Sequence, residues 1–175
     1  MLRLVFILVL LAIVALLIYA ATKPDTFRIA RSISIKAPPE KVFPLVSDLH
    51  NFNIWNPFAK KDPNAKMTYS GPETGVGSKH AWEGNKNVGS GSMTVAKLTP
   101  PSEVVFNLDF ISPFEAHNTA TFTLTSMGEN TTVTWAMTGP SPYVVKVMHM
   151  ICNMEKMVGP DFEAGLADLK ALAEK

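Results

Sequence analysis

The chain has 175 residues, enough for one domain of ordinary size with its own core. Its 16 basic and 15 acidic side chains balance, and setting Arg3 aside leaves the remainder formally neutral, so the basic footprint that nucleic-acid binding needs is missing. A single cysteine, Cys152, excludes an intramolecular disulfide, a Cys-based zinc site and a CxxC redox pair.

Leu4–Ala21 is an unbroken apolar run of 18 residues, flanked by Arg3 and Lys23. As a helix it spans roughly 27 Å, close to the hydrocarbon core of a bilayer. A cleaved signal peptide is the rival reading. The run exceeds the usual hydrophobic region of about 7–15 residues. Cutting after Ala20 or Ala21 would also put Ile18 or Tyr19 where a small residue belongs. An uncleaved anchor over 1–22 is therefore expected, with Tyr19 as its interfacial aromatic. Arg3 and the amine favour a cytoplasmic N-terminus and an extracytoplasmic domain, while Lys23, Arg28 and Arg31 pull the other way.

After a polar linker at 22–26, Phe27–Lys36 alternates, with Ile29, Ile33 and Ile35 on one face and Arg31 as the exception there. Pro38-Pro39-Glu40 opens a short helix carrying Val42, Phe43, Val46 and Leu49. Asp48 caps a second, with Phe52, Ile54 and Trp55 on its apolar side, and Asn56-Pro57 ends it. Six further strands are read at Lys66–Ser70, Gly77–Glu83, Gly91–Leu98, Glu103–Phe110, Glu115–Thr125 and Thr131–Thr138. Their short Gly/Pro/Asn-rich links imply antiparallel pairing. Ala120, Phe122, Leu124 and Val133, Trp135, Met137 oppose faces of threonine, which suits solvent.

From Pro142 to Glu174 the apolar residues recur at three- and four-residue steps, which predicts one long helix with a kink or brief break at Gly159-Pro160. The predicted architecture is α+β: a curved seven-stranded antiparallel sheet whose apolar face is covered by that helix, with a domain over 23–175 that folds as a monomer.

Two stretches carry a family resemblance: Ile33-Ser34-Ile35-Lys36-Ala37-Pro38-Pro39-Glu40-Lys41-Val42-Phe43, and Asp48-Leu49-His50-Asn51-Phe52-Asn53-Ile54-Trp55-Asn56-Pro57-Phe58. Gly89–Met93, Phe114–Phe122, Val133–Trp135 and Lys156–Glu163 fit the same pattern. Over residues 27–174 the chain resembles the SRPBCC superfamily of START-like and pollen-allergen-like proteins. Within it, the likeness is to the bacterial polyketide cyclase/dehydrase and lipid transport group. The resemblance implies a helix-grip fold around a cavity for hydrophobic molecules; with the anchor expected over 1–22, the setting expected is a bacterial inner membrane. It carries over no catalytic residue.

Candidate chemistry is sparse. Alternation puts His80 beside Trp82, where it is either a hydrogen-bonded strand histidine or an inward base or donor. Asn118 shares a face with Ala116, Ala120 and Phe122, so a buried amide there needs a partner, protein or ligand. His117 reads as surface. His149 and Cys152 lie three apart on the long helix, too few ligands for a metal site and without a third group for nucleophilic catalysis. Met148, Met150, Met154 and Met157 crowd one helical stretch, with Met93 and Met137 on strands. Core packing, an adaptable apolar binding wall and copper(I) ligation all use methionine, in that order of expectation. The cavity candidates are His80, Trp82, Met93, Phe106, Asn118, Phe122, Trp135, Met150 and Met154, with no metal or cofactor assigned.

Three functions stay open: a non-catalytic, membrane-tethered binding module for a hydrophobic small molecule or lipid, a cavity enzyme using His80 or Asn118, and an interaction domain with a filled core. A continuous inward polar cluster favours the enzyme. An open, dry cavity favours binding, and no cavity favours the third.

Overall fold

A computed structural model describes residues 2–151 and 153–175, with residues 2 and 149–151 by backbone alone. α1 (Leu2–Ala21) has its side chains exposed along nearly its whole length, and it is long and apolar enough to cross a membrane. β1 (Thr26–Ile35) follows, then α2 (Pro39–Ser47), α3 (Leu49–Trp55) and α4 (Pro57–Lys61). Strands β2 (Lys66–Ser70), β3 (Lys79–Glu83), β4 (Ser90–Thr99), β5 (Glu103–Ser112), β6 (Ala116–Met127) and β7 (Asn130–Pro140) come next, and α5 (Tyr143–Ile151) and α6 (Met154–Ala173) close the chain.

The seven strands form one antiparallel sheet in the order β1-β7-β6-β5-β4-β3-β2. Alternation set the register that the sequence demands: Ala120, Phe122 and Leu124 oppose Met137, Trp135 and Val133, all buried, while the threonine pairs Thr121, Thr123 and Thr125 lie on the other face. Bulges between Ser90 and Gly91 and between Val95 and Lys97 interrupt the β4–β5 ladder and bend the sheet there. α6 packs across the concave face against β1 and β7. Arg31, the polar exception on β1, lies against Gly159 of α6 and bonds Glu163 at 2.6 Å and Glu155 at 3.0 Å.

One expectation about helices needs extending and one needs correction. Asn56-Pro57 ends α3 as expected, with Asn56 at its C-cap, but a third short helix follows where the sequence predicts two. The Asn56 side chain accepts from the Phe58 N–H, and Pro57 takes the first-turn position that tolerates proline, so a third short helix begins. Lys60 and Lys61 then tie α4 to Asp168 and Asp161 of α6, each at 2.6 Å. The break expected at Gly159-Pro160 is not there: α5 ends at Ile151, and α6 runs from Met154 through both residues to Ala173. Asn153 caps α6 by accepting from the Lys156 N–H, and Glu155 in the first turn suits the helix dipole. Pro160 sits inside α6 with its ring exposed, and the Lys156 carbonyl that loses a donor belongs to an exposed residue that water can serve. Asp48 caps α3 as its sequence predicts, accepting from His50 and Asn51.

Candidate functional site: an apolar cavity under one half of the sheet

The concave face divides into two halves. Toward the Ile35 end of β1 it is closed: Val104, Leu124, Val133, Leu166 and Leu169 are fully or almost fully buried. An aromatic plug bounds this core. Trp135 stacks on Phe162 at 4.0 Å and on Phe122 at 5.1 Å, and Phe52 meets Phe106, Phe122 and Trp135 at about 6 Å. Above the plug, toward the Thr26 end, lies a partly open cavity of about 400 Å³, within the range of small-molecule sites.

Register builds its wall in rows. Nearest the opening run Trp82, Gly91, Phe110 and Ala116, one from each of β3 to β6. Gly91 is there because the Trp82 ring lies over it; any Cβ would meet the ring and the Asp109 carbonyl. The Trp82 indole N–H donates to the Val88 carbonyl at 3.1 Å, which fixes the ring. The next row runs His80, Met93, Leu108 and Asn118. The helical side comes from Phe52 of α3, Phe58 of α4, and Met154, Val158 and Phe162 of α6.

His80 is the most perturbed group of the site. It is 3% exposed, its Nε2 lies 2.9 Å from the Met67 sulfur, and its Nδ1 has no hydrogen-bond partner among the described residues. Burial, helped by the positive charge His50 would carry, pushes its pKa down to about 4, so the ring is neutral at ordinary pH. Asn118 lines the same row, its amide oxygen held in the space that a Cβ on Gly139 would occupy. Three strand spacings separate His80 from Asn118, roughly 14 Å along the sheet. The two therefore cannot share one reacting bond.

Of the residues singled out from sequence, His80, Trp82, Met93, Asn118, Phe122, Trp135 and Met154 all lie on the cavity wall. Phe106 does not: it is fully buried behind Phe52 and Phe122, within the plug. The side chain of Met150 and the His149–Cys152 pair lie outside the described residues. The methionine-bearing helix face is a correction too. Met148 and Met157 are exposed, and Met154 alone of the described helical methionines reaches the cavity, joined there by Met67, Met93 and Met137 from strands. His117 lies outside, bonded to Asp109 at 2.7 Å, which raises its pKa. Phe58, Met67 and Phe110 were missed. Alternation on β5 pairs Phe110 with Phe106 and Leu108, a signal the sequence did carry. Among the described residues, no three His, Cys, Asp or Glu side chains converge on a point that could hold a metal ion.

A bent antiparallel sheet gripping a C-terminal helix around an apolar cavity defines a helix-grip domain. Solved structures share it at low identity. Protein CV1439 from Chromobacterium violaceum superposes with a TM-score of 0.61 at 17% identity, covering 87% of this chain and 99% of that one. Major latex-like protein 151 from Panax ginseng gives 0.58 at 14%, covering 87% and 100%. The di-domain ARO/CYC BexL of the BE-7585A biosynthetic pathway gives 0.60 at 14%, covering 90% of this chain and 53% of BexL. These likenesses carry the fold alone. Residues 26–174 match the family model described as polyketide cyclase / dehydrase and lipid transport, and the chain belongs to that family. No curated protein matches it significantly.

Proposed function

We propose that this protein is a membrane-tethered, non-catalytic binding module for a hydrophobic small molecule or lipid. The observation that carries the reading is the cavity: about 400 Å³, walled by aromatic, methionine and aliphatic side chains, with polar groups scattered rather than paired. Such a site rewards burial of apolar ligand surface, at about 25 cal/mol per Å² before the costs of binding are set against it. The isolated polar groups, the His80 ring and the Asn118 amide, would orient a ligand by hydrogen bonds. Acid–base chemistry needs a donor and an acceptor within reach of one bond, and His80 has no carboxylate or second histidine across the cavity from it among the described lining residues.

In this reading α1 remains attached as the anchor, and residues 23–175 form the binding domain on the extracytoplasmic face of a bacterial inner membrane. Arg3, at the end of α1 away from the domain, supports that orientation because basic residues favour the cytoplasmic side. Titration with an apolar naphthylamine probe tests the binding function. A saturable fluorescence rise that a cavity-filling substitution abolishes is expected. No saturable binding refutes it. Intact mass of the membrane-extracted protein tests the anchor, and a chain beginning near Ala21 or Thr22 refutes it.

The enzyme reading keeps one observation in its favour, the orphaned Nδ1 of a neutral, buried histidine at a cavity wall. Loss of turnover in His80→Phe with probe affinity retained would establish it.

A further inference from the structure

An antiparallel sheet has two ends, and the register assigns every loop to one of them. Thr26 pairs with Pro140, Phe110 with Ala116, Ser90 with Ser112 and Glu83 with Ser90. The start of β1, the end of β7, the β5–β6 turn and the β3–β4 loop therefore share one end of the sheet. Two of these loops form the rim of the cavity: residues 86–89 of the β3–β4 loop and residues 112–116 around the β5–β6 turn.

The anchor enters at that same end. Four residues, Thr22–Asp25, join α1 to β1, a reach of at most about 14 Å. The join is also fastened. The Ser141 N–H donates to the Asp25 carbonyl at 2.7 Å, and the Lys146 ammonium bonds the Asp25 carboxylate at 2.6 Å, which holds the pKa of that carboxyl down. The Tyr143 hydroxyl donates to the Leu17 carbonyl at 2.9 Å, and α5 packs on α1. A domain held this way has no free leash on which to turn its rim away from the surface α1 emerges from.

The same end exposes large apolar side chains. Ile111 is 69% and Phe114 is 70% exposed in or beside the β5–β6 turn. On α5, Val144 is 68% and Met148 is 44% exposed, four residues apart on one helical face. Tyr19, near the C-terminal end of α1, and Tyr143, whose hydroxyl bonds α1, are amphipathic residues suited to a headgroup layer. Exposed apolar side chains beside a membrane span are what an interfacial contact requires.

We infer that the cavity opens toward the bilayer that holds α1, with the β5–β6 turn and α5 seated in the bilayer surface, so that a hydrophobic ligand passes between membrane and cavity without crossing water. The inference rests on the anchor and cavity readings above and adds to them a route and an interaction surface.

The test uses the full chain in lipid vesicles, with Cys152→Ser as background. An environment-sensitive fluorophore is placed at one position at a time: Phe114→Cys at the rim, Glu129→Cys at the opposite end of the sheet, and Leu10→Cys inside α1. Lipids carrying a spin-label quencher report contact. Quenching at 114 at least twofold stronger than at 129 is expected. Equal quenching at 114 and 129, or none at 114, overturns the inference. Position 10 then separates the two failures: quenched there, α1 is in the bilayer and only the facing is wrong; unquenched there, the anchor reading falls as well. Ile111→Asp provides a second readout, on an exposed side chain beside the turn that does not line the cavity. Transfer of the naphthylamine probe from vesicles into the cavity should slow at least fivefold with equilibrium affinity little changed. An unchanged rate contradicts the route.

Discussion

Acid should destabilise this fold through His80 in a way that can be isolated. In the unfolded chain the ring titrates near 6.5. In the fold, burial and His50 hold it at about 4. Between these values the unfolded chain binds a proton that the folded chain refuses. The contribution to stability is thus fully present above about pH 6.5, is lost as pH falls toward 4, and is constant below. A gap of about 2.5 units at 1.36 kcal/mol each sets an upper limit of roughly 3 kcal/mol, reduced to the extent that water reaches the ring through the open cavity. For a chain of this length that is a fall in Tm of up to roughly 6–12 °C. Carboxylates titrate over the same window, so the assay is a difference. Thermal unfolding of the detergent-solubilised protein and of His80→Phe is followed by tryptophan fluorescence from pH 8 to 4. The wild type should lose up to 3 kcal/mol more than the variant. Parallel pH profiles would refute the burial argument and would mean that the orphaned Nδ1 has a partner when protonated.

Three further substitutions test the packing. Met154→Trp should fill cavity space from α6, blocking probe uptake while changing stability by less than about 1 kcal/mol; a loss of roughly 1–3 kcal/mol would mark the site as close-packed. Gly91→Val should drive the Trp82 ring off its seat, destabilising by roughly 1–3 kcal/mol and shifting the tryptophan emission, whereas unchanged emission would show that the ring does not depend on that gap. Asp48→Ala removes the α3 cap and should cost about 1 kcal/mol by urea unfolding, with probe affinity reduced because α3 carries Phe52.

Much of this fold can be read in the sequence because strand alternation is a strong local signal. Ala120-Phe122-Leu124 against Val133-Trp135-Met137 predicts both the buried face and the pairing that occurs. Alternation puts His80 and Trp82 on one face of β3 without fixing its direction; the structure turns that face to the cavity, with Met93 of β4 paired to His80 on the same wall. Helix boundaries were harder, for reasons specific to two prolines. Proline can stop a helix or begin one, and Asn56-Pro57 does both: α3 ends there, and α4 opens because the Asn56 side chain caps the new turn. Pro160 is a breaker by rule, yet α6 passes through it because the affected carbonyl is at the surface and Arg31 braces the turn at Gly159. The cavity itself is a tertiary property. Crowded methionines do not say which of them face inward, and Phe106 shares a face with wall residues but lies behind Phe52, which comes from a helix no strand pattern could position.

The most direct test of the central claim is native mass spectrometry of the full chain extracted from its membrane in mild detergent, beside Met154→Trp prepared identically. The account predicts a fraction of the wild-type protein carrying an apolar molecule whose added mass fits a cavity of about 400 Å³, with that fraction lost in the variant. Wild-type protein that is always bare, and that takes up no apolar probe offered in excess, would contradict it.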